Sequence, residues 1–293
     1  MKKELIDEIK NIPGISVSGD YKVTSFINVD AIFKYKIDVL KIDSLNMLFK
    51  VLKRNKIRYC ILGKCSNVLF KKSYYNMALI NIVCKCNNES EFSSFEDVMK
   101  LNNKLINKGI STLLFLTMVP CSLGGAIYMN AGANGKEMKD VIEYVYFYDI
   151  RKKKVRVFDN KECKFKYRDS YFRHHKTIIL AAKLKIEYLN QSKLIDEYKK
   201  IVMKRSEVIS LKEASLGCVF KNFSDISAGK LIDDLGLKGM LYNGIKISEK
   251  HANVIVNCNN CDSRNIINLI NIIKNEVYLK TKRKLQLEII SFE

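Results

Sequence analysis

Apolar residues recur at helical spacing over 43–55, after an Asp-Ser start, and predict a helix there. Arg58 to Leu62 is a short β-rich run, Gly63-Lys64-Cys65-Ser66-Asn67 breaks it, and Val68-Leu69-Phe70 resumes extended character. A second helix is predicted over 95–108, and strand-like runs follow at 141–149, 154–158 and 177–187. The stretch 192–209 is polar and helical, a plausible hinge or domain boundary. A last unit holds the 217–257 segment, a helix near 264–280 and a closing strand over 285–292. No internal repeat is visible. Mixed runs without a regular strand–helix alternation give the class as α+β with several small sheets.

Composition narrows the picture. With 293 residues, 47% of them apolar, two or three domains with substantial cores are expected. No run reaches the roughly 18–20 apolar residues of a membrane helix. The opening Met-Lys-Lys-Glu-Leu-Ile-Asp-Glu-Ile-Lys mixes acids and bases at helical spacing, without the apolar stretch of a signal peptide, so a cytoplasmic protein is expected. Nine cysteines, an odd number, then suggest reduced thiols. The pairs Cys84/Cys86 and Cys258/Cys261 could offer four thiolates to zinc, but their spacing is poor for a knuckle and no metal is expected. The net charge of +20 is spread along the chain among abundant Asn and Ile, and no nucleic-acid-binding module accompanies it. Such a field still favours an anionic substrate.

Only 13 glycines and 2 prolines occur, so their clusters carry information. Pro120-Cys121-Ser122-Leu123-Gly124-Gly125-Ala126 is followed by Asn130-Ala131-Gly132-Ala133-Asn134-Gly135, and small residues let backbone N–H groups approach anionic oxygens. Gly63–Asn67 is a second loop of this kind. Neither matches a Rossmann or P-loop pattern. In Phe165-Lys166-Tyr167-Arg168-Asp169-Ser170-Tyr171-Phe172-Arg173, an arginine among aromatics could grip a carboxylate, or simply lie on a strand surface. Gly217-Cys218-Val219-Phe220-Lys221-Asn222 offers a thiol after glycine: a nucleophile, a proton donor or a packed group.

In order, these segments resemble the UDP-N-acetylenolpyruvoylglucosamine reductase family, FAD enzymes of the vanillyl-alcohol-oxidase-like superfamily. Leu62–Leu69 resembles that family's L-G-x-G-S-N-x-L loop, Val119–Ala126 its I-P-G-[TS]-x-G-G-A, and Met129–Gly135 its x-N-A-G-A-x-G. Glu162–Ser170 is similar to C-x-F-x-Y-R-x-S and Gly217–Asn222 to G-S-x-F-K-N. Ala228–Ile232, Leu237-Lys238-Gly239, Ser248–Asn253 and Leu285–Ile289 follow in the family's order.

The resemblance implies two FAD-enclosing subdomains of PCMH type, 1–75 and 76–190, and a UDP-sugar domain, 191–293, of the shorter subtype. It implies FAD binding by Gly63, Lys64, Cys65, Ser66, Asn67, Pro120, Ser122, Gly124, Gly125, Asn130, Ala131, Gly132 and Ala133. Tyr167, Asn222 and Lys238 are the implied substrate contacts. NADPH is the hydride source, and the acceptor is UDP-N-acetylglucosamine enolpyruvate, an intermediate on the way to peptidoglycan. Catalysis falls to Arg168, which stabilises developing charge, to its partner Glu288, and to Cys218, which stands where the family has a proton-donating serine. A thiol is the better acid and the weaker hydrogen-bond donor, so activity should persist and decline as pH rises through the thiol pKa. His251, in a polar run, is left out of the catalytic set. A monomer is expected.

Other departures touch the flavin loops. Thr24-Ser25-Phe26-Ile27-Asn28-Val29-Asp30 lacks the arginine and both glycines of T-[ST]-F-R-x-G-G, while Cys65, Met118 and Cys121 replace glycines. Where such a position needs φ > 0, strain of about 1 kcal/mol or more follows, or the loop rearranges. The lost glycines keep open a non-catalytic flavin or UDP-sugar binder; another flavin oxidoreductase of the superfamily is a further alternative, against which the Arg168/Glu288 pair and the C-terminal motifs argue.

Overall fold

The structure is a computed structural model that describes residues 2–84, 90–210 and 212–293. The chain begins with α1 (Lys2–Lys10), β1 (Ile15–Thr24), β2 (Asp30–Val39), α2 (Leu45–Arg54), β3 (Tyr59–Cys60), β4 (Val68–Phe70), β5 (Tyr74–Ile82) and β6 (Glu91–Ser93). Next come α3 (Val98–Asn107), α4 (Leu123–Tyr128), β7 (Gly132–Ala133), β8 (Lys136–Glu137), α5 (Met138–Val141), β9 (Ile142–Asp149), β10 (Lys154–Asp159), α6 (Tyr171–His174), β11 (Thr177–Leu184) and α7 (Gln191–Val208). It ends with β12 (Ser215–Cys218), α8 (Ala228–Asp234), β13 (Leu241–Tyr242), β14 (Ile245–Ile247), β15 (Val254–Asn257), α9 (Ser263–Thr281) and β16 (Ile290–Phe292). The class is α+β. Two interleaved units result: 1–21, 33–64 and 76–202 form the first, and 22–32, 65–75 and 203–293 the second.

The first unit is organised around the antiparallel sheet β10-β9-β11-β6. Successive strand residues point to opposite faces, so β9 and β11 each serve two cores. Val145, Phe147, Ala182 and Leu184 pack with Val98, Leu101 and Leu105 of α3, Leu123 and Ile127 of α4, and Met138 and Val141 of α5. Tyr148, Ile178 and Leu180 belong to the other core, with Ile37 and Val39 of β2, Ala78 and Ile80 of β5, and Leu45, Leu48 and Leu52 of α2. Each fully buried Leu, Ile or Phe contributes about 1.5–3 kcal/mol. Polar pins fix the connections. Tyr148 Oη donates to Asn46 Oδ1 at 2.6 Å, and Asp149 accepts the N–H groups of Arg151 and Lys152 at 3.0 and 2.9 Å across the β9–β10 turn. Burial alone would raise the Asp149 carboxyl, yet the Lys152 N–H, the Arg156 guanidinium and the Arg151 N–H together hold it below the ordinary range.

In the second unit the sheet runs β12-β15-β14-β13, and β16 pairs in parallel with β4, Ile290 opposite Val68. Ile266, Leu269, Ile270, Ile273 and Val277 recur every three or four residues along α9 and form its buried stripe. Asp262 caps that helix by accepting from Arg264 and Asn265 N–H at 3.0 and 3.4 Å.

Two predicted strands are shorter than expected. Over 285–292 only Ile290–Phe292 is a strand, because Glu288 N–H is bonded to Val219 O (2.8 Å) and Lys221 N–H to Gln286 O (2.8 Å), short contacts around the single bridge Phe220–Leu287. The run 177–187 stops at Leu184, where Lys185 N–H turns to Val141 O at 2.9 Å.

Candidate functional site

Two glycine-bearing loops meet in the first unit. A Cβ on Gly63 would overlap Ser122 Oγ and lie 3.9 Å from Gly125 Cα, so a larger residue here would push the Ser122 hydroxyl aside. A Cβ on Gly124 would lie 2.9 Å from Ser94 Cβ. Lys64, next in the loop, is ion-paired to Asp97, the N-cap of α3. Burial works to raise the Asp97 carboxyl, but Lys64 and the N–H groups of Lys100 and Met99 bring it below its ordinary range. The sequence reading aims the amides of the Gly124-Gly125 segment at anionic oxygens. Here the N–H groups of Leu123, Gly124 and Gly125 go instead to Glu96 O (2.9 Å), Ser94 O (2.7 Å) and Ser122 Oγ (3.2 Å). Gly124 and Gly125 therefore act through close packing and not as a row of donors.

Arg168 sits on a tight turn closed by Lys166 N–H to Asp169 O (3.0 Å) and Asp169 N–H to Lys166 O (3.1 Å). Its φ of +53 is that of the third turn position, where glycine or asparagine is usual. The guanidinium donates from Nη2 to Gly132 O at 3.1 Å, lies 4.0 Å from Glu137 Oε1 through Nη1, and stands 5.0 Å from the centre of the Tyr167 ring. Around it is an open pocket of about 510 Å³, lined in part by Gly132, Ala133, Lys136, Glu137, Tyr167 and Arg168. Glu137 also bonds the Lys139 ammonium at 2.9 Å and raises its pKa. Asn130 is fully buried, and its amide bonds Glu137, Lys166 O and Lys139 N–H. Ala131 follows it with N–H to Ala126 O at 2.8 Å. Pro120 is half-buried at the head of the loop.

In the second unit, Cys218 ends β12 after Gly217, which has φ +72. Val219 O accepts from Glu288 N–H at 2.8 Å, which brings the backbones of the Cys218 and Glu288 segments together. Asn67 joins them: its Nδ2 donates to Glu288 O at 3.2 Å and its carbonyl accepts from Ile290 N–H at 2.9 Å. Ser66 precedes it and is half-buried. Asn253, absent from the sequence-predicted set, pairs with both backbone groups of Phe220, accepting its N–H at 2.9 Å and donating to its carbonyl at 2.8 Å. Nothing in one sequence marks a buried asparagine that replaces a strand. Asn222 Oδ1 accepts from Ala228 N–H at the start of α8, and Lys238 Nζ lies 3.3 Å from Asp233. His251 Nδ1 accepts from Asn253 N–H at 3.1 Å, and burial lowers its pKa, which suits a structural imidazole.

Of the cysteines weighed for zinc, Cys86 lies outside the described residues and Cys84 Sγ bonds Val39 O at 3.3 Å. Among the described residues no three His, Cys, Asp or Glu gather as a metal site, and no helix is long and apolar enough to cross a membrane.

The family description "UDP-N-acetylenolpyruvoylglucosamine reductase, C-terminal domain" matches residues 210–292. The UDP-N-acetylenolpyruvoylglucosamine reductase of Carboxydothermus hydrogenoformans is 32% identical over 263 residues, 87% of this chain and 86% of that protein. That of Thermosipho melanesiensis is 34% identical, over 88% and 87%. The chain belongs to this family. The crystal structure of the Thermus caldophilus reductase superposes with a TM-score of 0.81 at 24% identity, over 95% of this chain and all of that one, so the fold is shared.

Membership in the reductase family implies a flavin, and the loops can be tested for it. Cys65 and Met118, which stand where the family pattern has glycine, adopt φ of +55 and +62, so the left-handed backbone survives without the glycines. Cys121 has no positive φ, and its replacement carries no such strain. The Cys65 thiol is buried and its pKa pushed up to about 12, so it is an inert packing group. In the loop lacking R-x-G-G, Ile27 is buried, Asn28 takes the left-handed φ (+55), and Asn257 Nδ2 holds Ile27 O at 2.9 Å. With the left-handed backbone kept at Cys65 and Met118, and with Gly63 pressed against the Ser122–Gly125 segment, the residues present fit a flavin.

Proposed function

We propose that this chain catalyses the reaction of its family, the reduction of UDP-N-acetylglucosamine enolpyruvate to UDP-N-acetylmuramate, as a cytoplasmic monomer that uses FAD and NADPH. Bound FAD supplies the hydride, received from NADPH, to C3 of the enolpyruvyl group. The chain's own residues manage charge, position and the proton.

Arg168 grips the substrate carboxylate and steadies the negative charge that spreads into it from C2, where a fixed cation is most effective. Cys218 Sγ–H delivers the proton to C2, leaving a thiolate that solvent reprotonates; the product has gained one hydride and one proton. Glu288, half-buried, orients the carboxylate end. Tyr167 stacks against the guanidinium and limits its motion. Asn222 and Lys238 contact the UDP-sugar. Gly63 to Asn67, Pro120, Ser122, Gly124, Gly125 and Ala131 to Ala133 enclose the FAD, chiefly through backbone and shape, while the buried Asn130 side chain is spent on protein partners.

The observation that carries this reading is Arg168 on its strained turn beside an open pocket, a cost of about 1 kcal/mol retained at a position of chemical use. The test is NADPH oxidation by FAD-loaded protein. Turnover is expected only with the enolpyruvyl sugar, and Cys218→Ala is expected to lose at least about 100-fold, the scale of general-acid catalysis. NADPH consumption indifferent to the sugar would overturn the assignment. Full turnover in Cys218→Ala would remove the thiol from it.

A further inference from the structure

Arg168 reaches its pose through a residue that never enters the pocket. Asn130 follows α4 at φ +44, a conformation asparagine tolerates better than most residues, and it is fully buried. Nδ2 donates to Glu137 Oε2 at 3.0 Å and to Lys166 O at 2.9 Å, while Oδ1 accepts from Lys139 N–H at 2.9 Å. Both amide hydrogens and one acceptor site are thereby used on two separate segments, 137–139 and Lys166. One bond fixes the carboxylate whose other oxygen faces Arg168 Nη1 at 4.0 Å. Another fixes the first residue of the turn that carries Arg168.

We propose that Asn130 is a positioning residue for Arg168, acting through Glu137 and through the backbone of the Lys166–Asp169 turn. The proposal rests on the reading of Arg168 as the substrate's carboxylate ligand. A residue that only closed the end of α4 would need backbone partners alone. Asn130 instead holds a carboxylate that faces the guanidinium, which also donates to Gly132 O. Loss of Asn130 should therefore loosen Arg168 while the cofactor loops remain.

The test compares two ligands on FAD-loaded protein by calorimetry: UDP-N-acetylglucosamine enolpyruvate, and UDP-N-acetylglucosamine, which lacks the carboxylate. In Asn130→Gly, which keeps the backbone conformation available, the preference for the carboxylate-bearing ligand is expected to fall on the order of 10-fold, the scale of one weakened charge-assisted hydrogen bond. The affinity for UDP-N-acetylglucosamine should stay constant, and kcat should fall with KM for NADPH unchanged. Should Asn130→Gly not fold, Glu137→Gln tests the same route and is expected to lose the same preference. A wild-type preference in these variants, with the preference abolished in Arg168→Ala, would overturn the positioning role alone. If Arg168→Ala also kept it, the reading of Arg168 would fall as well.

Discussion

Several residues in the flavin loops and at the Arg168 turn hold left-handed backbone without being glycine. Met118 is the simplest to test, since its side chain carries no assigned role. Met118→Gly should raise the unfolding free energy by about 0.5–1 kcal/mol, as relief of αL strain outweighs the added entropy of the unfolded chain. Denaturant titration gives the answer, and a loss of stability would mean that the Met118 side chain contributes more than its backbone costs. The missing glycines themselves are legible in the sequence, by position. The clamping asparagines are not: half-buried Asn67 and buried Asn130, Asn253 and Asn257 look like four members of an Asn-rich composition, and only the fold shows each clamping a backbone. For the same reason the partners of the Asn130 side chain, Glu137, Lys166 O and Lys139 N–H, leave no trace in the sequence, where the residue is read only as part of a cofactor loop.

At the scale of elements, amphipathic spacing identifies α2, α3 and α9 to within a few residues, because a buried stripe on a helix leaves a strong periodic trace, whereas α7, with Leu194 alone buried, is legible only as a polar helical run. The β1–β2 hairpin escapes that reading, although Ala31, Phe33, Tyr35, Ile37 and Val39 alternate cleanly on one face of β2. Strand ends are illegible because the switch from ladder to loop depends on remote partners such as Val219 and Val141. Two predictions belong here. Asp149 caps the β9–β10 turn with a depressed folded pKa, so its contribution is present above the unfolded pKa, near 3.9, and is lost as pH falls through the folded value. Asp149→Asn should therefore flatten the dependence of unfolding free energy on pH below about 4. An unchanged slope would show that another carboxylate dominates. Asn253→Ala leaves the Phe220 N–H and carbonyl unpaired in a buried position, at about 1–3 kcal/mol for each group. Denaturation should show a loss of at least about 2 kcal/mol, and a loss under about 0.5 kcal/mol would mean that solvent replaces the pairing.

For the whole molecule, the ordered motifs make the family and its α+β architecture legible in the sequence, and the relatives bear both out. The interleaving of the two units is not legible, since it depends on segments 22–32 and 65–75 joining residues more than a hundred positions away. The proposed chemistry rests on Arg168 at its turn and on Cys218 at the end of β12, two residues before the Phe220 that Asn253 clamps. That account depends on flavin chemistry, so the most direct measurement is an anaerobic titration of FAD-loaded protein followed by flavin absorbance. NADPH should bleach the bound flavin, and subsequent UDP-N-acetylglucosamine enolpyruvate should restore the colour with one UDP-N-acetylmuramate formed per flavin. Protein that retains no FAD at saturating concentrations, or reduced flavin that stays bleached in the presence of the sugar, would contradict it.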